Sequence, residues 1–223
     1  MPTALKIDFV SDVSCPWCAV GLYALLQALD RVQPDIEAQL HFQPFELNPQ
    51  MAEGGQDIGE HLTQKYGSTP EKQAQIRDAI RERGAEVGFE FNAHGRGRIY
   101  NTRDAHRLLH WAGQAHPAQQ LALKQTLLQA CHRDRQAMDD HAVLVQACEQ
   151  AGLDGLQAAE VLSTNRYDDE VAQAEALYQS AGIHAVPAVV INDRHLISGG
   201  QPAEVFEQAL RQIAAQTADT AQG

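Results

Sequence analysis

Two cysteines one helical turn apart, Cys15 and Cys18 in Ser14-Cys15-Pro16-Trp17-Cys18, constrain this chain more than any other feature. A strand-like apolar run precedes them and a helix-like run follows. Two thiols separated by two residues close a disulfide within a single turn. At a helix start, unpaired backbone N–H groups and the helix dipole favour the thiolate of the first one. Pro16 suits the first helical position, where its missing N–H would have no partner. A zinc site needs a second ligand pair at similar spacing, and Cys131 and Cys148 lie far apart on helix-like segments. The pattern is that of a redox dithiol at a strand-to-helix junction.

Charge and hydropathy exclude other classes. A net charge of −12 over 223 residues leaves no basic stripe to meet a phosphate backbone, so no nucleic-acid partner is expected. Apolar runs such as Ala185 to Ile191 are far too short to cross a bilayer, and no membrane partner is expected either. Lys6 and Asp8 interrupt the first apolar stretch, which therefore does not read as a signal peptide. The expected compartment is the reducing cytoplasm. There, Cys131 and Cys148 read as small apolar helix residues, with a transient second disulfide as the alternative.

Ala4 to Val10 reads as a first strand, Pro16 to Val32 as a helix with a wide apolar face, and Ile36 to Phe45 as a second strand. The linking helix makes a parallel pair with a right-handed crossover the expectation. From about Gly54 to Gly182 strand-like alternation disappears. Helical segments take over, punctuated by Gly67-Ser68-Thr69-Pro70, His116-Pro117, Gly152 and Gly155. Strands return at Ala185 to Ile191 and His195 to Ser198, with Asn192-Asp193 as the turn, and Pro202 to Ala215 closes as a helix. The expected organisation is βαβ over residues 1–53, a helical insertion over 54–182, ββα over 183–215 and a disordered tail over 216–223. This is an α/β, thioredoxin-like fold with a large α-helical insertion, its cysteines at the carboxyl end of a strand.

Four motifs then carry a resemblance across nearly the whole chain, from Lys6 to about Gln212. They are Cys15-Pro16-Trp17-Cys18, Asn101-Thr102-Arg103-Asp104-Ala105-His106-Arg107, Ala185-Val186-Pro187 and Ser198-Gly199-Gly200-Gln201-Pro202. In this order they resemble the cytosolic DsbA-like oxidoreductases of the FrnE type. That branch stands beside the 2-hydroxychromene-2-carboxylate isomerases and the kappa-class glutathione transferases. The resemblance implies thiol–disulfide oxidoreductase activity, with Cys15 attacking and Cys18 resolving. It also implies a cis Pro187 facing them, a Val186 backbone that pairs with an extended substrate, and Asp8 as the acid buried beneath the disulfide.

Residue chemistry adds detail. Cys15 takes the exposed first position and Cys18 the buried second one. Pro16-Trp17 brings no charge, so an intermediate potential is expected, leaving the pair mostly reduced in cytosol. Trp17 is either an apolar platform for substrate or a cover for the site's edge. His106 and His110 have metal-compatible i, i+4 spacing but lack the accompanying Glu, so no metal is expected. No cofactor beyond the Cys15–Cys18 disulfide is expected. The expected partners are protein or peptide thiols and disulfides, with glutathione as substrate or reductant. Two other readings compete: a glutathione-dependent isomerase or transferase of aromatic compounds, and a chaperone-like binding module near Trp17.

Overall fold

The computed structural model describes the backbone of residues 2–221 and the side chains of residues 2–218. β1 (Thr3–Ser11), α1 (Pro16–Val32) and β2 (Ile36–Pro44) form the opening unit. β1 pairs parallel to β2 in register from Thr3 with Ile36 to Ser11 with Pro44. β5 (Ala188–Ile191) returns antiparallel to β1, and β6 (His195–Ser198) pairs antiparallel to β5. The sheet order is therefore β2-β1-β5-β6. Asn192 and Asp193, with φ of +50° and +55°, make the tight turn between the last two strands.

β1 is a central strand, and its alternation sends side chains into two different cores. Leu5, Ile7 and Phe9 pack with Leu22, Leu25 and Ala28 of α1 and with Phe206 and Leu210 of α9 (Ala203–Ala221). Val10 packs on the other face with Phe45, Ile183 and Ala188, beneath Tyr178.

Between β2 and β5 run α2 (Ile58–Tyr66), α3 (Pro70–Val87), α4 (Arg103–Ala115), α5 (Pro117–His132), α6 (His141–Gln150), α7 (Gly155–Ser163) and α8 (Asp168–Ser180). Thr69 caps α3, its hydroxyl accepting the Lys72 N–H at 3.4 Å. α4 to α7 hold a core of their own, in which Leu108, Trp111, Leu127, Leu144 and Val161 meet. Val13, from the loop between β1 and α1, inserts into that same core. The helical block thus grips the loop that carries the cysteines.

Two features differ from the sequence expectation. β3 (Gln56–Asp57) and β4 (Arg98–Ile99) form a short antiparallel ladder inside the helical block. Two-residue strands are too short for alternation to reveal. The tail expected to be disordered from Gln216 is instead helical as far as Ala221, because α9 continues past Ala215. Ile213 and Ala214 are buried, and the Thr217 hydroxyl donates to the Ile213 carbonyl and accepts from Asn192 Nδ2, at 2.9 and 3.4 Å. Gln222 and Gly223 lie outside the described residues.

Candidate active site

Asp12 builds the loop between β1 and α1. Its Oδ1 accepts the Ser14 N–H at 2.9 Å, its carbonyl accepts the Cys15 N–H at 3.1 Å, and its Oδ2 accepts the Leu47 N–H at 2.7 Å. Cys15 follows as the N-cap of α1, with extended backbone and no capping bond from its side chain. Pro16 occupies the first turn, so the thiol stands at the positive end of the helix. Cys18 is fully buried one turn in, and its N–H donates to the Cys15 carbonyl at 3.1 Å.

The two thiols differ in acidity. The Cys18 thiol, donating to Cys15, holds the Cys15 pKa below its ordinary value, and the N–H groups of Cys18 and Trp17 act in the same direction. Burial and the nearby Asp12 charge oppose them without prevailing. Burial pushes Cys18 well above its ordinary value, and the neighbouring Cys15 adds to the rise. Cys15 is less open than the sequence implies, only 5 % exposed, because the segment before β5 lies across it. Its Sγ donates to the Val186 carbonyl at 3.7 Å. The Val186–Pro187 peptide bond is cis.

Glycines let this segment approach. A Cβ at Gly21 would sit 3.1 Å from Pro187 Cγ and 3.2 Å from Gly200 Cα. One at Gly200 would sit 3.0 Å from the Trp17 carbonyl oxygen. Trp17 is half-buried against the core that contains Cys18.

Asp8 does not lie beneath the dithiol. Strand alternation turns it to the face opposite α1, where its carboxylate accepts from Gln43 at 2.7 Å and pairs with Lys6 at 3.0 Å. The acid at the cysteines is Asp12, fully buried and just past the strand end. Burial pushes its pKa up, but the His106 ring at 3.7 Å and the N–H groups of Leu47 and Ser14 outweigh this and hold it below the ordinary value.

Other residues at the loop come from distant segments. Arg96 Nη1 donates to the Ser14 hydroxyl at 2.9 Å and also to the Ser14 carbonyl. His132, on α5, has its pKa lowered to about 3, chiefly by burial, so at neutral pH it is uncharged and Nε2–H donates to the Val13 carbonyl at 2.9 Å. Lys124, also on α5, is fully buried, and burial pushes its pKa below the ordinary lysine value. None of these four residues, Asp12, Arg96, His132 and Lys124, stands out by local motif.

The remaining sequence candidates have other partners. His106 faces Asp12, whereas His110 stacks on Tyr167 with ring centroids 5.4 Å apart, so the pair does not converge. No cluster of three or more potential metal ligands occurs among the described residues. Arg103 ties α4 to Asp168 of α8 at 2.8 Å, and Arg107 donates to the Val161 carbonyl in the last turns of α7 and to the Thr164 and Arg166 carbonyls just after it. Those two positions of the second motif hold the helical block together. Cys131 and Cys148 are buried, and desolvation pushes their thiols up to about 11 and about 12.

The comparisons agree with this architecture. Residues 6–211 match the model of the DSBA-like thioredoxin domain. The chain is 28% identical to the uncharacterized protein YwbO of Bacillus subtilis (strain 168), over 92% of this chain and 96% of that one. It is similar to the probable DsbA oxidoreductase SCO1869 from Streptomyces coelicolor, with a TM-score of 0.84 and 31% identity over 93% of this chain and 89% of that one. The cytosolic disulfide reductase DsbM from Pseudomonas aeruginosa, solved with GSH, shares the fold at a TM-score of 0.63 and 16% identity, covering 93% and 98% of the two chains. A dithiol at the start of α1, a cis-proline segment across it and a helical block gripping its loop accompany a family match over nearly the whole chain: this protein belongs to the DSBA-like thioredoxin domain family.

Proposed function

We propose that this chain is a cytoplasmic thiol–disulfide oxidoreductase that exchanges disulfides with extended protein or peptide substrates through Cys15 and Cys18. The observation that carries this reading is the Cys15 thiol at the helix start, held against the Val186 carbonyl at 3.7 Å and made more acidic than the fully buried Cys18. Exchange needs a thiolate with access to a disulfide sulfur and a second thiol to release the adduct. Cys15 supplies the first and Cys18 the second.

The Cys15 thiolate attacks a substrate disulfide, forming a Cys15–substrate bond and expelling one substrate sulfur, which takes up a proton. Cys18 then loses its proton and attacks Cys15 Sγ. The Cys15–Cys18 disulfide forms and the second substrate thiol leaves. The substrate gains two electrons and the enzyme dithiol gives them up; the reverse sequence oxidises a substrate. The Val186–Pro187 segment binds the substrate backbone in the manner of an added strand, and Trp17 supplies apolar contact beside it. Two glutathione molecules regenerate the dithiol: the first opens the Cys15–Cys18 bond to a mixed disulfide, the second displaces the enzyme sulfur, and glutathione disulfide leaves.

Insulin reduction with glutathione as electron donor, together with the Cys15–Cys18 potential in glutathione buffers, tests this reading. Turnover that disappears in Cys15→Ser and a single two-electron couple support it. A wild-type protein that reduces no protein or peptide disulfide while converting an aromatic substrate with glutathione overturns it.

A further inference from the structure

With 29 carboxylate side chains against 17 lysines and arginines, a surface cation in this chain has ample choice of ion-pair partners. Lys65, Arg77, Arg96, Arg98 and Arg135 nonetheless meet no carboxylate among the described residues, and they gather around one loop, residues 94–98, and the cysteine loop beside it. Lys72, the buried Lys124 and Arg194 are the other cations of that kind among the described residues. Arg96 joins the group to the dithiol: its guanidinium donates to the Ser14 hydroxyl at 2.9 Å and to the Ser14 carbonyl, one residue before Cys15. Net charge conceals this patch, because its arginines converge from α3, the 94–98 loop and the end of α5.

Two glycines let arginines lie on the loop to either side of Arg96. A Cβ on Gly95 would sit 3.2 Å from Arg77 Cδ, and one on Gly97 would sit 2.7 Å from Arg135 Nη2. Arg98 fixes the base of the loop through the Gly54 and Gly55 carbonyls, at 3.0 and 2.9 Å. Arg77 and Arg135 are exposed, and neither makes a hydrogen bond or ion pair among the described residues. Arg135 also stands at φ +60° just past α5, a left-handed position that a helix end usually fills with Gly. The backbone gains nothing from Arg there, and the fold does not use its guanidinium. Neighbouring acids are committed elsewhere. Asp57 accepts the Glu60 N–H at 3.1 Å, Asp139 accepts the Gly54 N–H at 2.8 Å, and Asp134 pairs with Arg133 at 2.8 Å.

We propose that Arg77, Arg96 and Arg135 form a cationic rim that selects polypeptide substrates with Asp or Glu flanking their disulfide. This rests on the oxidoreductase reading above and names the substrate class of the same site. A guanidinium matches a carboxylate with two parallel hydrogen bonds, and unpaired arginines meet one without first breaking an ion pair. The chain as a whole carries −12 and repels an acidic polypeptide, so recognition comes from the local field beside Cys15. Arg77 and Arg135 contact the acidic side chains. Arg96, half-buried against Ser14, carries the positive field up to the thiol. Backbone pairing at Val186 is indifferent to sequence, and the rim adds the side-chain choice.

Stopped-flow reaction of the reduced protein with three fluorescent peptide disulfides, identical except for Glu, Gln or Lys on both sides of the cysteine, tests the rim. Each rate is divided by that of the same peptide with dithiothreitol, which removes the effect of charge on the disulfide itself. At an ionic strength of about 0.02 M the Glu peptide should react about tenfold faster than the Lys peptide. At about 0.5 M the two should agree within about twofold, because salt screens the rim. In Arg77→Gln/Arg135→Gln the low-salt ratio should fall to about threefold or less, whereas Arg194→Gln, which removes a like charge from the β5–β6 turn, should keep it. A wild-type ratio of one or below, a ratio unchanged in the double variant, or an equal fall in Arg194→Gln overturns the rim. The oxidoreductase reading stands in each of those cases, since the Gln peptide still reacts. A wild-type protein that reacts with none of the three peptides overturns that reading, and the rim with it.

Discussion

Cys15 Sγ meets the Val186 carbonyl at 3.7 Å, joining positions 171 residues apart. The contact sets the thiol that caps α1 against the segment entering β5. Cys18 sits behind it with no exposed surface. The order of attack is therefore written into the burial of the two sulfurs as well as into their acidity.

Alkylation of the reduced protein should follow that order. Cys15 should react with iodoacetamide with a pH midpoint below the ordinary thiol value of 9.0, and Cys18 should stay unlabelled until the protein unfolds. Peptide mapping after a timed pulse reads both. Equal labelling of the two thiols would remove the asymmetry on which their roles rest.

Cys131 and Cys148 should be dispensable. Burial keeps both protonated at neutral pH, with pKa values of about 11 and about 12, and a thiol without thiolate is a poor nucleophile. The double Ala variant should reduce insulin within about threefold of the wild-type rate, since neither sulfur enters the exchange. A large loss in a folded variant would reveal a second redox centre.

Asp12→Asn should act on both stability and acidity. The folded pKa of Asp12 lies below 3.8, so its contribution is present at neutral pH and is lost as pH falls through the folded value. At pH 7 the variant should lose about 1.5–3 kcal/mol, the scale of hydrogen bonds to a charged group, and the gap should close in acid. The Asp12 charge pushes the Cys15 pKa up, so its removal should move the Cys15 alkylation midpoint further down. Denaturant melts at pH 7 and pH 3, with the alkylation profile, check both.

Glu46 should destabilise the fold at alkaline pH. Its side chain is 6% exposed, and it shares the Arg103 guanidinium with Glu175 at 3.1 and 3.3 Å. Burial first, and the Glu175 charge second, push its pKa up to about 7. The folded state therefore binds the extra proton, and stability falls as pH rises from 4.5 to about 7. Glu46→Gln should be more stable than wild type by about 1–3 kcal/mol at pH 8 and nearly equal near pH 4.5. A variant that is less stable at pH 8 would contradict this account of the cluster.

Much of the frame was legible because local signals bound it. Pro16 starts α1 where the motif implies, and Pro34 falls just past its end at Val32. The supports of the cysteine loop were not legible in the same way. Arg96 and His132 reach it from beyond β2, with Lys124 buried on the same helix as His132, and no pattern near Cys15 announces them. One signal was present. Gln120, Lys124, Leu127, Leu128 and Cys131 share one stripe of α5, so a lone Lys occupies a buried position at core spacing. Asp8 was misplaced for a parity reason: in a strand it shares a face with Val10, not with Ile7 and Phe9 beneath α1. Asp12 escapes that parity because the strand ends at Ser11. The tail was misjudged by composition, since few apolar residues after Ala215 suggested nothing to bury, while Ala-rich sequence can extend a helix already anchored by Phe206 and Leu210.

The most direct test of the central claim is adduct trapping. Cys18→Ala, reduced and mixed with a peptide disulfide, is followed by intact mass and by mapping of the linked residue. The account predicts a stable mixed disulfide on Cys15 alone, released by added dithiothreitol, and no such adduct in Cys15→Ala. A stable adduct on Cys18 in Cys15→Ala, with none on Cys15 in Cys18→Ala, would contradict it.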